Sequence, residues 1–142
     1  MTENIFPFTL SLRLDWSEMD LFGHINNVSY FKYIQASRVH YWEQSGISKL
    51  FEEKKIGPIL ASVKCDFIKT LHYPGICFIK ARIEFIGNSS FGIHHKILNE
   101  QNELCAEAHD VIVMYDFNKN IKVVFPEELK MKIELLQGKF SH

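Results

Sequence analysis

Apolar residues recur at every second position over much of the chain, a period that is typical of half-buried β-strands. In the first such segment, Phe8, Leu10 and Leu12 alternate with polar residues. Turn-forming residues, such as those at 73–75 and 87–89, separate the later segments. Six strands are predicted in this way, over residues 8–15, 59–70, 79–85, 91–97, 104–115 and 121–124.

Residues 27–45 break this alternation and predict one long α-helix between the first two strands. Its apolar and aromatic side chains are spread round most of the circumference, which is typical of a helix buried on several sides. They are Tyr30, Phe31, Tyr33, Ile34, Ala36, Val39, Tyr41 and Trp42. A helix of this length spans about 28 Å, and a curved sheet wrapped round it would bury it.

Two shorter helices are predicted from their flanking residues. A short amphipathic helix at 47–55 is ended by Gly57 and Pro58. Pro126, at a first helical position, opens a terminal helix. The order of a strand, a long helix and then a run of antiparallel strands indicates an α+β fold.

The candidate chemistry lies in residues 20–27, between the first strand and the long helix. Asn26 or Asn27 is a natural N-cap, because an amide oxygen accepts hydrogen bonds from the free N–H groups of the first turn. Those N–H groups and the positive end of the helix dipole also favour a negatively charged oxygen. Asp20 lies a few residues upstream, in a loop that can fold back towards this helix end. A carboxylate and an oxyanion site next to each other are the smallest set of catalytic groups that can hydrolyse an activated acyl compound.

Composition narrows the classes of function. The 142 residues, 46% hydrophobic and 23% charged, indicate one domain over 1–142. The net charge of −1 and the scattered basic residues argue against a nucleic-acid partner. No signal peptide or membrane-spanning run is recognisable, so we expect a cytoplasmic protein. The three cysteines lack a C-x-x-C pair and are expected to be reduced thiols within strands.

The segment DLFGHINNVSY at 20–30, followed by Arg38, resembles the signature of the hotdog-fold acyl-CoA thioesterases, and in particular the 4-hydroxybenzoyl-CoA thioesterase group. The similarity continues through YP at 73–74, GNSS at 87–90 and FPEEL at 125–129, and covers nearly the whole chain. It implies the hotdog fold, a long central helix wrapped by a strongly bent antiparallel sheet. It also implies homodimers joined edge to edge, commonly paired into homotetramers, with active sites at subunit boundaries.

The resemblance assigns roles to single residues. Asp20 corresponds to the catalytic carboxylate of the family, and the backbone N–H of Asn27 corresponds to the group that polarises the thioester carbonyl. His24 and Asn26 belong to the same motif. The implied reaction is hydrolysis of an acyl-CoA, or of an acyl-carrier protein, to a free carboxylic acid. Because a thioester is already activated, this reaction requires no metal and no cofactor.

Further residues are candidates for binding the substrate. Ile25, Tyr30 and Phe31 would form an apolar lining suited to a fatty or an aromatic acyl group. Ser89 and Ser90 lie in a loop that matches one near the CoA portion in the family. A polar turn that contacts no ligand is the other interpretation of these two serines.

The motif residues also have structural interpretations. Asp-x-x-Gly often forms a turn, so Asp20 suits one. His24 would orient the substrate or Asp20, or would simply bridge the loop and the helix. Whether Asp20 attacks the carbonyl directly or deprotonates water stays open at this stage. A function of a different class also stays open, a hotdog protein that binds acyl-CoA or acyl-carrier protein without hydrolysing it.

The histidines raise the question of a metal site. His94 and His95 are neighbours on a predicted strand, and neighbours on a strand point to opposite faces of the sheet. No cysteine or carboxylate lies at ligand spacing from them in the sequence, so no zinc site is predicted. His40 and His109 are interpreted as surface residues or as buried residues whose ring nitrogens have hydrogen-bond partners.

Overall fold

The computed structural model describes residues 4–140 and contains one antiparallel sheet packed against a long helix. The strands are β1 (Phe8–Arg13), β2 (Ile56–Phe67), β3 (Ile76–Ile86), β4 (Ser90–Leu98), β5 (Leu104–Asp116) and β6 (Ile121–Lys122). The helices are α1 (Asn27–Ser45), α2 (Ile47–Lys54) and α3 (Glu127–Gln137), and a 3₁₀ turn spans Trp16–Glu18. The α+β fold and the bounds of the long helix are those predicted from the sequence.

The strands follow the order β1-β3-β4-β5-β2, and β6 extends the sheet only beside the end of β5. Every pairing is antiparallel, and short turns join β3 to β4 and β4 to β5. Since β2 follows α1 in the chain but lies at the far end of the sheet from β1, the helix crosses between the two edges. This crossing places the amino end of α1 beside the carboxyl end of β2.

The face of the sheet that is turned towards α1 forms the core. One half of the core surrounds Tyr30, Tyr33 and Ile34 of the helix, and the other half surrounds Tyr41 and the start of α2. Gly46 separates the two helices in a left-handed conformation with a φ of 94°, which favours glycine. The chain therefore turns sharply there and returns to the sheet at β2.

Within one chain, α1 is buried along one face rather than on several sides. The buried residues recur at helical spacing and include serines as well as apolar residues. They are Ser29, Tyr30, Tyr33, Ile34, Ser37, Tyr41 and Ser45. Phe31 and Val39, which suggested burial on several sides, are exposed by 37% and 43%. The expectation was wrong because small serines line the contact with the sheet, while two large apolar side chains face outwards.

Two helix boundaries that were predicted from prolines were wrong. Gly57 and Pro58 were expected to end a helix, but both lie inside β2, where Pro58 is opposite Met114. An edge strand tolerates proline because the missing N–H is not needed on its outer side. Pro126 is the N-cap of α3 rather than its first helical residue, a difference of one position.

Each cysteine lies within a strand, as predicted, and all three are free thiols. Burial raises the pKa of Cys65 to about 11 and that of Cys77 to about 12. Burial therefore favours the protonated form of these thiols at neutral pH. Among residues 4–140, no helix is long and apolar enough to cross a bilayer.

Candidate active site

The loop that precedes α1 is held in place by Glu18, which is 8% exposed. Its carboxylate accepts hydrogen bonds from the Tyr33 hydroxyl at 2.7 Å and the Lys32 ammonium at 3.0 Å, both on α1. Burial acts to raise the pKa of Glu18, but these hydrogen bonds outweigh burial and the pKa lies below the ordinary value. The ionised carboxylate thus ties the loop to the first two turns of the helix.

Asp20 forms a tight turn within this loop. Its Oδ1 accepts hydrogen bonds from the backbone N–H groups of Phe22 at 2.8 Å and His24 at 3.1 Å. Gly23, at a φ of 85°, supplies the left-handed residue that the turn requires. Within residues 4–140, no hydrogen bond engages Oδ2 of Asp20, and the side chain is exposed. One oxygen therefore shapes the turn and the other faces solvent.

Asn26 caps the amino end of α1. Its side-chain oxygen accepts from the N–H of Ser29 at 2.8 Å, and its Nδ2 donates to the Glu18 carbonyl at 2.9 Å. The N–H groups of Asn27 and Val28 take part in no hydrogen bond within the described range 4–140. Two donors at the positive end of the helix dipole are therefore available to a negatively charged oxygen.

The Asp20 turn and the amino end of α1 border a common cleft of about 280 Å³. The lining comes from the loop, the helix and the segment that follows β2. It consists of Asp20, His24, Ile25, Asn27, Tyr30, Phe67, Ile68, Lys69 and Thr70. Five of the nine site residues named from the sequence are in this set, so the structure brings together the acid and the helix terminus that the prediction requires.

The other four predicted residues lie elsewhere. Asn26 is turned into its cap, and Phe31 lies beside the cleft, with its ring 6.1 Å from the ring of Phe67. Ser89 lies in the turn between β3 and β4 and Ser90 is the first residue of β4, both outside the cleft, and their carbonyl groups accept backbone hydrogen bonds. Within one chain these two serines make a polar turn.

Sequence reasoning missed the far wall of the cleft, at 67–70. These residues were assigned to a strand that continues to Thr70, but β2 ends at Phe67. Tyr30 holds the segment in place, since its hydroxyl accepts from the N–H of Leu71 at 3.1 Å and lies 3.4 Å from the Lys69 carbonyl. Burial raises the pKa of Tyr30, so the hydroxyl keeps its proton. The alternation of apolar and polar residues does not show where a strand stops pairing with its neighbour.

A set of hydrogen-bonded polar side chains, away from the cleft, crosses the core between α1 and the sheet. Ser37 lies 3.0 Å from Nδ1 of His95, whose Nε2 lies 2.7 Å from Oδ2 of Asp110. Nε of Arg38 donates to the same Oδ2 at 2.9 Å. The serine, histidine and aspartate are all buried, so no substrate reaches them, and the group has a structural role despite its resemblance to a hydrolase triad.

Replacing Asn26 with alanine is expected to lower the free energy of unfolding by about 1 kcal/mol, since it removes the N-cap acceptor. Urea unfolding at a fixed protein concentration measures the change. Asn26→Asp is the matched control, because aspartate retains an oxygen that accepts from Ser29. Equal unfolding midpoints for the alanine and aspartate variants would show that the cap contributes little.

The comparisons with known proteins agree with this architecture. The family model of the thioesterase-like superfamily matches residues 14–133. The protein YsmA of Bacillus subtilis (strain 168) is 27% identical over 125 residues, which cover 88% of this chain and 84% of YsmA.

Two solved structures illustrate the likeness of the fold. One is a thioesterase complexed with coenzyme A and Zn from Thermus thermophilus, with 22% identity, a TM-score of 0.82, and coverage of 94% of this chain and 96% of that one. The other is Slr0204, a 1,4-dihydroxy-2-naphthoyl-CoA thioesterase from Synechocystis, with 15% identity and a TM-score of 0.75. Their alignment covers 89% of this chain and 94% of Slr0204.

The curved antiparallel sheet packed on a long helix is the hotdog fold, as the sequence implied. The chain belongs to the thioesterase-like superfamily. Its family and its fold support a function of the thioesterase type.

Proposed function

We propose that this protein hydrolyses an acyl-CoA thioester to a free carboxylic acid and CoA. Asp20 is the nucleophile or the general base, and the Asn27 N–H stabilises the oxyanion. The observation that supports this most strongly is the cleft, because it is lined both by Asp20, whose Oδ2 is free of hydrogen bonds within residues 4–140, and by Asn27, whose N–H is free at the start of the helix.

The reaction balances without a cofactor. Negative charge develops on the carbonyl oxygen as an oxygen nucleophile adds to the thioester carbon, and the Asn27 N–H donates to that oxygen. The carbon–sulfur bond then breaks and CoA leaves as the thiolate, which takes up a proton. The net reaction consumes one water and releases one carboxylic acid and one CoA thiol.

Asp20 can begin this reaction in two ways. Attack by its Oδ2 on the thioester carbon would give a mixed anhydride that water hydrolyses in a second step. Alternatively, Oδ2 would accept a proton from an attacking water molecule. Rapid-quench mass spectrometry of a single turnover distinguishes the routes, since only the first adds the mass of the acyl group to the protein.

The walls of the cleft suggest how the substrate is held. Ile25, Tyr30 and Phe67 offer apolar surface to the acyl group. Lys69 offers an ammonium group for a CoA phosphate, although in the free protein it pairs with Glu103. The complex of the Thermus thermophilus thioesterase with coenzyme A supports CoA as the carrier. His24 also borders the cleft, and its ring lies 4.8 Å from that of His72.

The same proposal includes a homodimer joined through β2. In the described part of the chain, this 12-residue strand pairs only with β5, so its outer edge presents unpaired N–H and C=O groups. Natural proteins cover long edges of this kind. Exposed apolar side chains surround the edge and the cleft, including Leu21 at 93%, Val28 at 65% and Ile68 at 55%. A second copy would cover this surface and narrow the cleft.

Light scattering after size-exclusion chromatography is therefore expected to give a mass near 33 kDa or a multiple of it, since the chain mass is 16.6 kDa. Ile68→Lys is expected to shift the population towards the monomer, because it adds a charge to the apolar surface. Met131→Lys is the matched control on the exposed side of α3. A wild-type protein that remains at 16.6 kDa at micromolar concentration would contradict the dimer.

The test of function is release of free CoA from a panel of short, medium, long and aromatic acyl-CoA thioesters. Catalysis on at least one member supports the proposal. The turn made by Oδ1 of Asp20 favours a second candidate, a protein that binds acyl-CoA without hydrolysing it, because it gives this residue a structural role. Saturable binding without release of CoA across the panel would establish that candidate instead.

A further inference from the structure

Two histidines and two carboxylates meet on the face of the sheet that is turned away from α1. His94 on β4 is directly opposite His109 on β5, and their rings stack with centroids 4.5 Å apart. Glu107 lies two residues before His109 and so shares its face. Glu84 on β3 completes the group. His95, the neighbour of His94, faces the helix, so this cluster is separated from the buried Ser37 group by the thickness of the sheet.

The ligand atoms of this cluster already converge. Nε2 of His94 lies 2.5 Å from Oε1 of Glu107, and Nδ1 of His109 lies 2.8 Å from Oε2 of Glu84. One ligand atom each from His94, Glu107 and His109 can be chosen so that all three lie within 4.8 Å of one another. In a tetrahedral zinc site with bonds of about 2.0–2.2 Å, ligand atoms are about 3.3–3.6 Å apart. Small rotations of the side chains therefore suffice to bring the three atoms round one ion.

Basic residues border the cluster, and two of the three make contacts elsewhere. Three basic residues, Arg82, Lys96 and Lys64, are the cross-strand neighbours of His94, Glu107 and His109. Arg82 donates to the carbonyl of Ile5, and the ammonium of Lys96 lies over the ring of Phe6. The carboxylates of Glu84 and Glu107 supply the two negative charges that balance a divalent ion.

We propose that His94, Glu107 and His109 bind a divalent transition-metal ion, with Zn²⁺ as the preferred ion and Glu84 as fourth ligand or as hydrogen-bond partner of His109. Two imidazole nitrogens and carboxylate oxygens form a donor set that zinc accepts. The ion replaces the proton shared by His94 and Glu107, and that proton passes to solvent. This site is independent of the cleft at the amino end of α1.

The effect of such an ion would be structural. It would join β4 to β5 at their centre, and through Glu84 it would reach β3. Binding to the folded state alone stabilises a protein in proportion to the logarithm of the ligand concentration. Zn²⁺ is therefore expected to raise the Tm of the wild-type protein, and to do so without any acyl-CoA present.

The test is isothermal titration of metal-free protein with Zn²⁺, together with the visible absorption of bound Co²⁺. One Zn²⁺ per chain is expected for the wild type. His109→Ala and Glu107→Gln each remove a ligand and are expected to weaken binding by at least about 100-fold, since loss of an outer-shell partner alone costs about 10–100-fold, and to reduce the rise in Tm. Because His109 is partly exposed, its replacement leaves the core intact, and the Tm of each metal-free variant verifies folding.

His72→Ala is the matched control, since it removes a histidine whose ring lies 4.8 Å from that of His24 but that belongs to no group of three ligands among the described residues. It is expected to bind Zn²⁺ as the wild type does. The proposal is overturned if the wild type shows no saturable binding. It is equally overturned if His94→Ala and His109→Ala both bind Zn²⁺ as tightly as the wild type. Loss of Zn²⁺ binding in His72→Ala, and in none of the other variants, would also overturn it.

Discussion

Replacing Asp20 with asparagine is expected to lower kcat for acyl-CoA hydrolysis by about 10²–10⁴-fold, the range found for a positioned acid or base. The substitution preserves the shape of the turn, because an amide oxygen still accepts from the N–H groups of Phe22 and His24. It removes the negative charge and the nucleophilic oxygen. Since the walls of the cleft are unchanged, KM is expected to change much less than kcat.

Asp66→Asn is the matched control, because it neutralises an exposed carboxylate on β2 that lies one residue before the cleft. Side chains alternate along a strand, so Asp66 faces away from Phe67 and from the substrate. Full activity in this variant would show that loss of one negative charge near the site is not itself the cause. Retained hydrolysis in Asp20→Asn would remove Asp20 from the reaction and leave only its role in the turn.

The site was predictable in part because its acid and its helix terminus lie in one continuous segment. Asn26 and Gly46 both carry local signals, a cap and a left-handed stop, so the bounds of α1 could be predicted from the sequence. The wall at 67–70 carries no such signal. Its position depends on the hydroxyl of Tyr30, 39 residues away from Lys69 in the chain.

The cross-strand clusters could not be predicted, for the same physical reason. In the sequence, no cysteine or carboxylate lies at ligand spacing from His94, so spacing alone gives it no partner. The register of β4 and β5 places His109 opposite His94. Glu107, two residues before His109 on β5, lies on the same face of the sheet. Likewise, nothing in the sequence near Ser37 indicates that His95, 58 residues away in the chain, lies beside it. Register depends on the whole hydrophobic pattern and not on any local motif.

The second large effect is expected on stability, from the buried network that links Asp110 to His95 and Arg38. Asp110→Ala is expected to lower the free energy of unfolding by about 3–5 kcal/mol, the usual cost of removing one partner from a buried ion pair. The variant leaves the Arg38 guanidinium and the His95 imidazole without their acceptor, in a place where the Arg38 side chain is only 12% exposed. Urea unfolding at a fixed protein concentration measures the loss, because a dimer would make stability depend on concentration.

The exposed residue Asp66 again supplies the control, since Asp66→Ala is expected to change stability by no more than about 0.5 kcal/mol. Arg38→Met combined with Asp110→Leu is expected to cost less than Asp110→Ala alone, because it leaves no buried charge from that pair. Equal unfolding midpoints for the wild type and Asp110→Ala would show that the network contributes nothing to stability.

The same network predicts how stability depends on pH. Burial acts to raise the pKa of Asp110, but the hydrogen bonds from His95 and Arg38 outweigh burial and hold its pKa below the ordinary value. The folded state therefore binds this proton less readily than the unfolded chain, whose aspartates titrate at about 3.9. The stabilisation is fully present above that pH and is lost as the pH falls through the lower pKa of the folded state. The difference in unfolding free energy between the wild type and Asp110→Ala should accordingly be constant near neutrality and shrink in acid. A difference that grows as the pH falls below about 4 would mean that Asp110 is protonated, and not ionised, in the native core.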